Sequence, residues 1–217
     1  MAEPSKVFHH SLFLNGPAGR LEALLWTSAA ARPSMAALVC HPHPMYGGTM
    51  HNKVVFQAAK TLHGLGVPVL RFNFRGAGLS QGEHDRGRGE RADVQCALDY
   101  LAGEFAGLPL ALAGFSFGAW VGLRVGVEDA RVTRLIGIGT PVNDSDFSYL
   151  QGSTKAKLFV VGTEDKYADR ERVEALVRSL EEPKRLVMVP GADHFFAGKL
   201  SQLDRAIREW MAEEKKN

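Results

Sequence analysis

The stretch Ala111-Leu112-Ala113-Gly114-Phe115-Ser116-Phe117-Gly118-Ala119-Trp120 fits the pattern G-x-S-x-G. It lies between an apolar run and a helix start made of small residues. The pattern asks for a sharp turn that lifts a serine above a sheet, with Gly114 and Gly118 letting strand and helix pass closely. The N–H of Phe117, at the helix start, could then stabilise an oxyanion. A serine hydroxyl is a weak nucleophile until a base takes its proton, and the base needs an orienting group. Both candidates follow along the chain. Val160-Val161-Gly162-Thr163-Glu164-Asp165 ends an apolar run with two acids, and Pro190-Gly191-Ala192-Asp193-His194-Phe195-Phe196 ends the next with a histidine. The expected set is Ser116 as nucleophile, His194 as base and then acid, and Asp165 as orienting group. Glu164 is the competing acid. Asp193 reads as a turn former, because adjacent side chains on a turn diverge.

Other residues with chemical potential are weaker. His41-Pro42-His43-Pro44 places two imidazoles two residues apart, and imidazole ligates metals. No cluster of Cys, His or carboxylate stands at motif spacing around them, and His51 and His84 stand alone in sequence. The imidazoles therefore read as hydrogen-bonding groups that fix a loop, and neither a metal nor a cofactor is expected. Arg75, just past an apolar run, could hold an acidic substrate group or brace its loop. The glycines of Arg75-Gly76-Ala77-Gly78 do not form G-x-G-x-x-G opening a helix, so nucleotide binding is not indicated. Tyr46, Trp120, Phe195 and Phe196 are candidates to line a substrate pocket, although aromatic residues beside a core are usually part of it. The mixed-charge run Glu83–Arg91 reads as a solvated loop, and Lys215-Lys216 as a frayed helix end.

These residues need elements to place them. Met35–Cys40, Val67–Phe74, Leu108–Ala113, Val132–Ile138, Leu158–Val161 and Leu186–Val189 are nearly continuous in apolar residues. Strands buried on both faces of a parallel sheet look like this. Val94, Ala97, Leu98, Leu101 and Phe105 have helical spacing. So do Val173, Leu176, Val177 and Leu180, with Asp169 as N-cap, and Leu200, Leu203, Ile207 and Trp210. Val7–Leu14 and Arg20–Thr27, joined by Asn15-Gly16-Pro17-Ala18-Gly19, predict an antiparallel hairpin at the sheet edge. The expected fold class is α/β, a mostly parallel sheet with an N-terminal antiparallel hairpin and helices on both faces, in one domain over residues 1–217. Active residues of such a sheet sit at the carboxyl ends of strands, where Ser116, Asp165 and His194 all fall.

Composition excludes several classes. The chain has 217 residues, 45% hydrophobic and 23% charged, with a net charge of +2. That balance points to no nucleic-acid partner, and no apolar run approaches a membrane span. Met1–Lys6 lacks the layout of a signal peptide. Cys40 and Cys96 are too few for a disulfide framework, so a reduced, cytoplasmic protein is expected, as monomer or homodimer.

The chain resembles small, lidless α/β-hydrolases, related to dienelactone hydrolases and similar to carboxylesterases. The resemblance rests on Cys40–Val54, on Arg71–Gly82, on the Ser116 turn, on Gly191–Phe196, and on Pro141-Val142 with Asp146-Phe147-Ser148. It implies an α/β-hydrolase fold with no lid domain, since only Thr140–Ala156 is available where a lid would be inserted. It implies that the loop after Cys40 supplies the second oxyanion donor. Pro42 and Pro44 have no N–H, which leaves His43 first and Met45 second. Dienelactone hydrolases place cysteine where this chain has Ser116, which argues against their chemistry. The function expected from the resemblance is hydrolysis of small carboxylic esters through an acyl-enzyme, with a small-molecule acyl ester as partner. A thioester, lactone or amide hydrolase with the same residues is the alternative, as is a non-catalytic binding module on this fold.

Overall fold

The computed structural model describes residues 7–28 and 32–213. Met1–Lys6 and Lys215-Lys216, read above from sequence, lie outside them. The strands are β1 (Val7–Gly16), β2 (Gly19–Ser28), β3 (Ala36–Cys40), β4 (Val69–Phe72), β5 (Leu110–Phe115), β6 (Val132–Ile138), β7 (Ala156–Gly162) and β8 (Lys184–Val189). The helices are α1 (Lys53–His63), α2 (Arg88–Glu104), α3 (Phe117–Glu128), α4 (Arg170–Ser179) and α5 (Leu200–Glu213). The strands form one sheet in the order β1-β2-β4-β3-β5-β6-β7-β8. β1 pairs with β2 and β2 with β4 antiparallel; every later pairing is parallel. This is the α/β-hydrolase architecture, with the hairpin at the edge where the sequence placed it.

Side chains alternate between two cores, as a strand's two-residue period requires. Leu38 and Cys40 of β3 and Leu110 and Leu112 of β5 face a core built with α2, α3 and α4. Ala37 and Val39, and Ala111 and Ala113, face the other, built with α1 and α5. Burial on both faces is why β3, β5 and β7 are apolar without alternation.

Two helices differ from the sequence expectation. α1 was not foreseen, although Asn52 caps it by accepting the Val54 N–H at 2.9 Å and Val54, Val55, Ala58, Ala59 and Leu62 are its buried stripe. α2 starts at Arg88, well before its apolar stripe, and buries Glu90 and Asp93 in its first two turns. Asp169 caps α4 as expected, accepting the N–H groups of Glu171 and Arg172. Between β6 and β7 the chain forms only one short 3-10 turn, Ser148–Leu150, and no lid. Among the described residues, no helix is long and apolar enough to cross a membrane.

Candidate active site

β5 delivers Ser116 at the centre of the sheet. Its backbone is held at φ 56°, ψ −120°, a left-handed conformation that costs a non-glycine residue. The surroundings fix it there. The Ser116 N–H donates to the Ile138 carbonyl at 2.9 Å, and the Ser116 carbonyl accepts the N–H groups of Ala119 and Trp120 to open α3. The flanking glycines have no room for a side chain. A Cβ on Gly114 would come within 2.3 Å of the Gly118 carbonyl, and one on Gly118 within 2.5 Å of the Cys40 and His41 carbonyls. The Phe117 N–H precedes the first bonded turn and stays at the open N-terminus of the helix, the positive end of its dipole.

The turns after β7 and β8 bring the other two residues to the serine. His194 Nε2 lies 2.9 Å from Ser116 Oγ. His194 Nδ1 lies 2.9 and 2.8 Å from the two Asp165 oxygens. Asp165 also accepts the Tyr167 N–H at 2.9 Å, and both Asp165 and His194 are 7% exposed. The rings of Tyr167, Phe115 and Phe195 pack round the imidazole at 4.7, 5.0 and 5.3 Å. Glu164 is exposed and takes no part. Asp193 accepts the Ala197 N–H and forms the turn.

The loop after β3 is pinned from behind. His41 is fully buried, donates from Nδ1 to the Pro42 carbonyl at 2.6 Å and accepts the Phe74 N–H on Nε2 at 2.9 Å. Burial pushes its imidazole down to about 3, so it stays neutral. With both ring nitrogens engaged it has none left for a metal. Among the described residues, no group of three or more His, Cys, Asp or Glu side chains is placed to hold one. Asn73 accepts the Met50 N–H and Arg71 donates to the Met50 carbonyl, each at 2.7 Å, which ties the far end of the loop to β4. Within the loop, Met45 N–H donates to His43 Nδ1, Tyr46 and Gly48 N–H to the His43 carbonyl, and Gly47 N–H to that of Pro44. Met45 is thereby removed as an oxyanion donor. The His43 N–H has no acceptor among the described residues, and His43 lines the cleft with Ser116.

That cleft measures about 600 Å³, within the range of small-molecule sites. Tyr46, Trp120 and Phe195 line it, with Tyr46 87% exposed, whereas Phe196 is fully buried and does not. Arg75 is a correction. Its guanidinium is paired with the buried Asp93 at 2.7 Å, and its N–H donates to the same carboxylate. It braces a loop and is not part of the cleft wall. The Glu83–Arg91 run is a second correction. Glu90 is fully buried, and His84 and Arg86 line the cleft together with Asn52, Asp144, Ser145 and Tyr167. The one signal for this was Glu90, three residues after Gly87, whose N–H it accepts at 2.8 Å.

Comparison with known proteins adds three findings. The family described as serine aminopeptidase, S33 matches residues 33–151. A protein of Rickettsia prowazekii described as uncharacterized is 36% identical over 92% of this chain and 87% of its own length. Two solved structures superpose with a TM-score of 0.87. One, from Xanthomonas campestris, is described as an α/β serine hydrolase without lid, is 36% identical and covers 94% of both chains. The other, described as an α/β serine hydrolase homologue from Coxiella burnetii, is 37% identical over 92% of this chain and 96% of its own.

Proposed function

From the premise that this chain belongs to the lidless α/β serine hydrolases, we propose that it cleaves carboxylic esters with small, accessible acyl groups through an acyl-enzyme on Ser116. The observation that carries this reading is the unbroken line of hydrogen bonds Ser116–His194–Asp165 in an open cleft. Ser116 Oγ adds to the ester carbonyl carbon while His194 Nε2 takes its proton. Asp165 holds the Nδ1–H tautomer and balances the imidazolium. The oxyanion sits between the N–H groups of Phe117 and His43, which are already oriented when charge develops. Collapse breaks the ester C–O bond and the alcohol leaves with the proton from His194. Water then repeats the sequence on the acyl-serine and restores the hydroxyl. Every group this chemistry needs is a side chain or backbone N–H of the chain itself.

A p-nitrophenyl ester series from acetate to octanoate tests the reading with wild type and Ser116→Ala. Hydrolysis of the short esters that vanishes in the variant is expected; activity that survives in Ser116→Ala overturns it. Asp144 on the cleft wall favours a second reading, because a carboxylate there could meet the free ammonium of a peptide N-terminus. Faster cleavage of aminoacyl p-nitroanilides than of esters would select it.

A further inference from the structure

Among the described residues, three non-glycine residues have positive φ: Ser116 at 56°, Phe196 at 54° and Arg86 at 51°. Ser116 is the nucleophile of the proposed reaction, and Phe196 belongs to the turn that carries His194. Arg86 has no such explanation, yet it lines the same cleft. A strained backbone persists only where its surroundings over-determine it. Here the fully buried carboxylate of Glu90 does so, accepting the N–H groups of Asp85 and Gly87, the residues on either side of Arg86, each at 2.8 Å. The loop is also pressed on the cleft wall, since a Cβ on Gly87 would come within 2.5 Å of the Trp120 ring.

The side chain thus presented is a cation without an ionic partner among the described residues. Arg88, two residues on, is paired with Asp85, whereas Arg86 makes no ion pair and donates no hydrogen bond among the described residues. Two imidazoles line the same cleft: the His43 and His84 rings stand 4.6 Å apart, and His84 Nδ1 lies 2.7 Å from the buried Glu90 carboxylate. We propose that Arg86, flanked by His84 and His43, forms a subsite for an anionic group, and that the ester cleaved at Ser116 carries a carboxylate on its acyl part. The planar guanidinium fork matches an oxyacid anion. Asp144 in the same cleft disfavours a dianion such as phosphate relative to a single carboxylate. The assignment deepens the esterase reading above and rests on it.

The test compares p-nitrophenyl hydrogen adipate with p-nitrophenyl hexanoate, which has the same chain length without the carboxylate. The adipate-to-hexanoate ratio of kcat/KM is expected to exceed one in the wild type and to fall about tenfold or more in Arg86→Gln, chiefly through KM. It should shrink with added salt, while Arg88→Gln keeps the wild-type ratio. A ratio unchanged in Arg86→Gln overturns the subsite. Binding of monomethyl adipate to Ser116→Ala by calorimetry provides a second readout that needs no turnover. Binding that weakens tenfold or more in Ser116→Ala/Arg86→Gln supports the subsite even if neither ester is cleaved, in which case it is the esterase reading that falls. No binding, or binding indifferent to Arg86, overturns the subsite. Inorganic phosphate binding more tightly than the carboxylate overturns the assigned anion.

Discussion

Two imidazoles of one cleft each stand beside a buried carboxylate, and only one of them joins its carboxylate to a serine hydroxyl. His194 Nδ1 is in hydrogen-bond alignment with both oxygens of Asp165, and its Nε2 meets Ser116 Oγ. His84 Nδ1 comes as near to Glu90 Oε1, at 2.7 Å, but is not aligned for a hydrogen bond. The Glu90 oxygens are engaged instead by the N–H groups of Asp85 and Gly87. In the proposed reaction Asp165 orients a base; Glu90 holds a loop. Proximity of an acid to an imidazole therefore does not identify a catalytic pair. What identifies it is where the hydrogen bonds of the acid go and what the far nitrogen faces.

Substitutions on the two sides should differ by orders of magnitude. Ser116→Ala or His194→Ala should lower kcat for a short p-nitrophenyl ester by about 10⁴-fold or more. Asp165→Asn should cost about 10³- to 10⁴-fold, because the amide favours the wrong tautomer. Glu90→Gln should cost the same neutral ester less than about tenfold. Its effect should instead appear in stability, since weakening a buried carboxylate that accepts two backbone N–H groups costs about 1–3 kcal/mol. At about 2–4 °C per kcal/mol for a chain of this size, a melting scan resolves that loss. Equal catalytic losses for Asp165→Asn and Glu90→Gln would break the comparison.

The first pair was legible in the sequence and the second was not. Ser116, Asp165 and His194 each follow an apolar run, and the parallel order of β5 to β8 carries all such ends to one edge. Glu90 and Asp93 lie in a mixed-charge stretch whose letters match those of a solvated loop. Their burial follows from partners at loop and sheet level: Arg75 for Asp93, 18 residues away, and the Asp85 and Gly87 N–H groups for Glu90. Met45 was a fair oxyanion candidate by elimination of prolines. The bond that removes it, to the His43 ring, depends on a turn the sequence does not specify. α1 was not legible because its Asn52 cap and apolar stripe directly follow a loop of prolines, glycines and histidines, with no strand between to mark the start of an element.

His41 extends the comparison to an imidazole that stays neutral in the folded state down to about pH 3, and its effect is of intermediate size. Its imidazole is held at about 3 by burial, against an ordinary value of 6.5. Above pH 6.5 folded and unfolded chains carry it equally neutral, so its contribution to stability is complete. As pH falls below 6.5 the unfolded chain binds a proton that the folded chain refuses, and stability drops by about 1.4 kcal/mol per pH unit until about pH 3. Denaturant titrations from pH 7 to 4 on wild type and His41→Gln should show the wild-type advantage shrinking with acid at about that slope. An advantage constant with pH would mean that His41 charges in place.

The smallest effect lies between the two pairs, at His43, and its sign sharpens the contrast. His43 titrates below its ordinary value, first because it is partly buried, then because of His84, while Glu90 acts in the opposite direction. Replacing His84 by Gln should therefore raise the His43 titration point, and replacing Glu90 by Gln should lower it. Histidine NMR titration on a Ser116→Ala background reads both, and shifts of the same sign would refute the arrangement. The neutral state matters locally. His43 Nδ1 accepts the Met45 N–H and so caps the turn Pro44–Tyr46. A proton on that nitrogen turns the acceptor into a donor and breaks the cap. The loop that carries the His43 N–H should then loosen on acidification in the Glu90→Gln protein at lower pH than in the His84→Gln protein. Amide exchange of residues 45–48 follows that order directly.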